Sequence, residues 1–274
     1  MLNKIIISTI LGLVLVVGSV AAQDEEIELS DPGITPDSTF YFLDDLGERL
    51  GLLVAFSHQA KVERALTILE EKLAESKAMV DVDNDKAVDK ATKRYEHYLE
   101  VINKRIDRVK LEQREELGLH VAEVTSKHLI VLDEVIARAP EQALRGLEQA
   151  RAASQHGHQT AIAAVARINA PRAASAVIKN ADKHLERARK KINAKEDAEE
   201  IEEELERYIE SIEQAKTIEE LAKETGQDVT VVKNVIKKAK LRHQKVLLNA
   251  MDRVPPGQAK KAMQRALEFT ELEN

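Results

Sequence analysis

The chain has no cysteine and no tryptophan, and its net charge of −7 leaves no basic excess. Without cysteine there is no disulfide framework, no thiolate catalysis and no cysteine-ligated zinc. Without a basic excess, general nucleic-acid binding lacks the phosphate-neutralising charge it depends on. Aromatic residues make up 3% of the 274 positions, with ten glycines and six prolines. No segment alternates apolar and polar residues over a useful length, so strands are not expected. Charged residues reach 32%, and Ala, Glu, Lys, Leu and Arg dominate, a composition that belongs to long helices.

Residues 1–22 read as a signal peptide. Lys4 supplies the positive start, Ile5 to Val17 form an apolar stretch broken only by Ser8, Thr9 and Gly12, and Val20-Ala21-Ala22 offers a cleavage site. The stretch is shorter than the roughly 20 apolar residues that span a bilayer comfortably. Export to a secreted or extracytoplasmic location follows. Membrane attachment enters only if the leader is retained. Without Lys4 the remainder holds 40 basic and 48 acidic residues, a net charge of −8.

Residues 23–37 form an acidic lead-in and a turn set by Pro32-Gly33 and Pro36. A helix over 38–55 follows, with Phe40, Leu43, Leu46, Leu50 and Leu53 on one apolar face. Ser57 is placed to cap a helix over 58–80, whose seam is Val62, Leu66, Leu69, Leu73, Ser76 and Val80. From Val88 a heptad-like pattern runs through Tyr95, Tyr98, Ile102, Ile106 and Val109 to Val121, His128 and Val135. Over 85–139 it fits one helix or two. Pro140 and Pro171 each restart a helix at its first turn. An acidic helix starts near 197, Gly226 stops it, a basic helix covers 229–254, and Pro255-Pro256-Gly257 leads into a terminal helix.

Two parts of this pattern match. His128, Val131-Leu132, Arg138, Pro140 and Gln142-Ala143 align with His243, Val246-Leu247, Arg253, Pro255 and Gln258-Ala259, and Arg94-Tyr95 aligns with Arg207-Tyr208. The expected fold is all-α, with two tandem antiparallel helical-bundle repeats. The first occupies 38–155, a connecting helix 156–170, and the second 171–274.

The block Pro32-Gly33-Ile34-Thr35-Pro36-Asp37-Ser38-Thr39-Phe40-Tyr41 resembles the opening of a family of exported helical domains of unknown function from archaea and bacteria. Members place proline where this chain has Thr39. The resemblance implies an exported helical domain; it brings no activity, cofactor or catalytic residue.

Candidate sites are weighed against plain structural roles. Asp81, Asp83 and Asp85 start like a calcium loop, but Lys86 and Thr92 occupy the positions that need glycine and glutamate, so a helix-connecting turn is expected. His156 and His158 point to different faces of a helix unless Gly157 breaks it. His128 and His243 share one repeat position inside an apolar seam, where hydrogen bonds to Tyr95 or Tyr98 and to Tyr208 are the simple reading. Those four histidines are the metal candidates, and no cofactor is expected. Phe40, Tyr41, Phe42 and Phe56 are read chiefly as core around the first helix, with a docking patch as the alternative. Residues 196–213 hold ten acids against one arginine, while 229–265 hold ten basic residues and one acid. The simple reading packs those helices side by side; the other leaves Lys233, Lys237, Lys238, Lys240 and Arg242 facing a partner.

No nucleophile, base and orienting group stand together, and no Gly-rich phosphate loop follows a strand. The reading is a non-enzymatic structural or interaction protein of the cell envelope. Its partners would be a protein, an anionic surface polymer or a second copy, not a specific nucleic acid. The alternative is a metal-responsive or stress-protective protein using the histidines.

Overall fold

A computed structural model describes residues 27 and 29–271, and residues 1–22, read above as a signal peptide, lie outside them. Among the described residues all regular structure is helical. In chain order the helices are α1 (Tyr41–Val54), α2 (His58–Asp81), α3 (Asp85–Ile106), α4 (Leu111–Ile136), α5 (Glu141–Ala194), α6 (Ala198–Glu224), α7 (Val229–Ala250) and α8 (Gln258–Thr270).

The apolar seams of α2, α3, α4 and α6 are buried at the positions their heptad spacing indicates. Residues 85–139 resolve into two helices. Val109 is buried between them, and the Arg114 guanidinium donates to its carbonyl at 2.8 and 3.1 Å, which pins the turn. Gly118 is interior to α4. A Cβ there would sit 2.6 Å from Val165, so glycine lets α4 lie close against α5.

α5 joins the two units and bends at Asn169, whose backbone leaves the helical region (φ −146°, ψ 78°). Pro171 has no N–H to continue the ladder. Asn169 instead caps the second limb, accepting from Arg172 N–H. Gln227, from the α6–α7 turn, closes the gap: it accepts from Ala170 N–H at 2.8 Å and donates to the Ala166 carbonyl at 2.7 Å. One amide side chain thus replaces the main-chain bond that the bend removes. Residues 156–170 complete the first limb of α5 and are not a separate element.

The duplication is visible in the packing. α2 lies on α3 as the second limb of α5 lies on α6, and α3 meets the first limb of α5 as α6 meets α8. The α2–α3 and α5–α6 turns also share a geometry. Each ends its helix with a non-glycine residue at positive φ, Asp83 at 53° and Lys195 at 58°. In both turns the following N–H reaches the carbonyl five residues back. Asp81, Asp83 and Asp85 belong to the first of these turns, where Asn84 caps α3.

Candidate docking surface and the buried charges beneath it

α1 is inside out. The expected apolar face of Phe40, Leu43, Leu46, Leu50 and Leu53 points to solvent, as do Phe42, Val54 and Phe56, the last 95% exposed. Of the four aromatics read as core, Tyr41 alone is buried. The opposite side of the helix, carrying Tyr41, Asp44, Asp45 and Glu48, is the one that docks.

Ionic contacts explain the inversion. Lys72 of α2 is fully buried, at 0% exposure, and Glu48 is 2% exposed. The Lys72 ammonium lies 2.8 Å from Asp44 and 2.6 Å from Glu48, and it also pairs with Glu75. Arg94 of α3 pairs with Asp45 and Glu48. Tyr98 donates to Glu48 at 2.6 Å and Tyr41 donates to Glu75 at 2.9 Å. The Tyr41 ring carries Lys90 at 4.0 Å and Lys72 at 5.0 Å. Apolar residues on α1's inner face would take two of the three carboxylates from the fully buried Lys72, which costs several kcal/mol, and both of those that meet the part-exposed Arg94, which costs less. The acidic stripe of α1 therefore turns inward and its leucines outward. Burial raises the Glu75 carboxyl to about 7 despite Lys72 and the Tyr41 hydrogen bond. Burial opposes the charge on Lys72, but its hydrogen bonds to Asp44, Glu48 and Glu75 win and raise its pKa.

The sequence held a signal for this. Asp44, Asp45 and Glu48 form an acidic stripe opposite the leucines, and Lys72 interrupts the apolar run of α2. Which stripe faces inward depends on what lies beneath, and that no local pattern reveals.

The two seam histidines sit as their repeat positions suggest. His128 Nδ1 is 3.1 Å from the Tyr95 hydroxyl, which donates to Ser154, which donates to the Thr125 carbonyl. His243 Nδ1 is 3.2 Å from the Tyr208 hydroxyl, and its Nε2 is 2.6 Å from Asp182, itself held by Arg242. Burial pushes the His128 imidazole down to about 3. It also lowers His243, against the pull of Asp182. The Asp182–His243–Tyr208 row resembles a proton relay, but Tyr208 is fully buried and offers its oxygen to no substrate.

The four histidines singled out for metal are not brought together. His128 and His243 are each spent on a tyrosine in different units, and Gly157 stays helical, so His156 faces solvent while His158 faces inward. His158 Nδ1 lies 2.9 Å from the Ala122 carbonyl, and burial lowers its pKa. Among the described residues no three acidic or histidine side chains are placed to hold a metal ion. His158 and His184 do line a cavity of about 50 Å³ between α4, α5 and α6, with Arg151, Asn180, Arg207 and Gln214 among its walls. That is room for a few waters. His184, paired with Glu204 at 2.7 Å, was not a candidate in the sequence.

The basic helix behaves differently from the side-by-side picture. Lys233 reaches Glu219 of α6 at 3.5 Å, but Arg242 pairs with Asp182 of α5, and Lys240 is buried with its ammonium 3.2 Å from the Glu271 carbonyl. The acids of α6 find Lys191 of α5 and Arg265 of α8 instead. Of the five basic candidates, Lys233, Lys237, Lys238 and Arg242 are exposed.

Residues 33–142 match the family model of a domain of unknown function (DUF5667), a span running from the opening turn into the start of α5. Among curated proteins none matches. A solved structure described as a circular tandem repeat protein with novel repeat topology and enhanced subunit contact surfaces shares 14% identity at a TM-score of 0.48. The alignment covers 83% of this chain and 48% of that one, so the chain spans about half the length of that protein.

Proposed function

We propose that this protein is an exported, non-enzymatic interaction module of the cell envelope that docks through the outer face of α1. One observation carries the reading: a helix fastened by buried ion pairs presents its leucines and phenylalanines to solvent. Large contiguous apolar patches are rare on monomers and mark contact surfaces. Fastening the helix by its charged side fixes that patch in place, so docking pays no ordering cost for the helix. The leader-like residues 1–22 support export, and the match to a domain of unknown function is consistent with a helical interaction module. Exposed lysines on α7 supply a secondary charged face.

The test is fractionation of cells carrying the full-length gene. The chain should lose its N-terminal leader on sequencing and sediment with the envelope. Leu46→Glu with Leu50→Glu should release it to the soluble fraction, whereas Lys237→Glu with Lys238→Glu should release it far less. Retention of the leucine variant in the envelope would sink the reading.

A further inference from the structure

We infer that the occupant of the α1 face is a second copy of this chain, with the two α1 helices packed against each other in a symmetric dimer. This rests on the reading of α1 as a docking surface and names its partner.

The spacing of the exposed residues supplies the first support. Leu43, Leu46, Leu50 and Leu53 are separated by three, four and three residues, the seam of a coiled coil, and seams of this kind accept a facing helix as knobs into holes. Phe42 and Val54 flank the seam within an arc of about 120°. An interfacial lipid helix needs only an apolar face, commonly with basic residues along its polar side. Here the polar side is acidic and already consumed beneath.

Area supplies the second. Leu43, Leu46, Leu50, Phe42, Leu53 and Phe56 run from 48% to 95% exposed. With Phe40 and Val54 that amounts to roughly 900 Å² of apolar surface, against about 800 Å² per partner in a standard interface. Two such faces offer area on the scale that a standard interface buries, and a two-fold contact uses the same patch on both copies.

The repeat supplies the third. α4 covers the second unit by placing Asp133 on Arg207 at 2.7 Å and Ser126 on Asn180 at 2.8 Å. α1 covers the first unit by placing Glu48 and Asp45 on Arg94, the repeat equivalent of Arg207. The far face of α4 is buried against α2 and α5, but the far face of α1 stays about half exposed or more along its leucine seam. Terminal elements of repeat arrays ordinarily carry a polar outer face. At the other end the exposed large apolar residues are scattered, Val231, Leu241 and Leu248, so a head-to-tail contact lacks a matching patch.

The experiment is sedimentation equilibrium on the chain as its host cell leaves it, with mass spectrometry defining its ends. Samples would run from roughly 1 to 100 μM, a range that brackets micromolar association. The wild type should pass from monomer to dimer. Leu46→Glu with Leu50→Glu should remain monomeric throughout and should melt with the wild type at dilutions where both are monomeric, because neither side chain holds the fold; at dimeric concentrations the wild type should melt higher by mass action. A wild type that stays monomeric at the highest concentration overturns the dimer. If it then floats with phosphatidylglycerol vesicles and the variant does not, lipid is the occupant, and the docking reading survives without the second copy. If instead the variant melts lower than wild type at a dilution where both are monomeric, the chain's own N-terminal segment covers the face, and both readings fall. A dimer that persists in the variant also overturns the inference.

Discussion

Arg94 and Arg207 stand at equivalent repeat positions, each one residue before the tyrosine that binds the seam histidine. Both are met by carboxylates from the helix two earlier in the chain, Glu48 and Asp45 of α1 for one and Asp133 of α4 for the other. What differs is the covering helix. α4 is buried on two sides and reads as an ordinary amphipathic core helix, whereas α1 docks through its acids, Tyr41 and a partly buried Leu52, with its leucine seam left outside. A duplicated array needs each unit's arginine neutralised. At the start of the array that requirement outweighs the usual preference for burying leucine.

Breaking the α1 side should have the largest effect. Lys72→Met strands Glu48, Glu75 and Asp44 around a buried methionine, and removing one partner of a buried pair costs about 3–5 kcal/mol. Urea unfolding should show that loss, and limited proteolysis should cut within 41–56 before touching α6. If the variant is as stable as wild type, the ionic account of α1 fails.

Acid should separate the two histidines next. His128 is neutral in the fold, with its pKa moved from 6.5 to about 3. Its contribution is therefore fully present above pH 6.5 and is lost as pH falls toward 3, on the order of a few kcal/mol. His243 shifts the same way but is held back by Asp182. Glu75 works in the opposite direction: its raised pKa makes the fold gain stability as pH falls from about 7 toward 4.5. In NMR titrations the His243 imidazole should protonate at a higher pH than that of His128. Asp182→Asn should narrow the gap by moving His243 down. Identical titrations would show that Asp182 does not differentiate the sites.

Arg207→Met tests the α4 side. Arg207 is part-exposed and shared among Asp133, Glu203 and Glu204, so solvent screens the loss to about 1–3 kcal/mol. Chemical denaturation should place it below Lys72→Met; the reverse order would make the α4 contact the stronger one.

The smallest expected effect is a gain. Asp83 and Lys195 occupy the left-handed region that glycine adopts without strain, so Asp83→Gly and Lys195→Gly should each raise stability by about 0.5–1 kcal/mol in thermal melts. Unequal gains would show that the two turns are less alike than their geometry.

The sequence by itself determined the all-helical class, the seams of α2, α3, α4 and α6, the pairing of His243 with Tyr208, the duplication, and that His128 meets a tyrosine of α3; the structure chose Tyr95 over Tyr98. Those features follow from local periodicity and from residues repeated at fixed offsets, and burying a heptad seam is a nearest-neighbour matter. The tertiary structure alone decided that α1 turns its acids inward, that Lys240 is buried while Lys237 and Lys238 are not, and that Gln227 mends the bend at Asn169. It also set the break at 107–110. Each of these hangs on a charge or a hydrogen-bonding group supplied by a distant helix, and in an interior of low dielectric one unmatched ion outweighs several leucines.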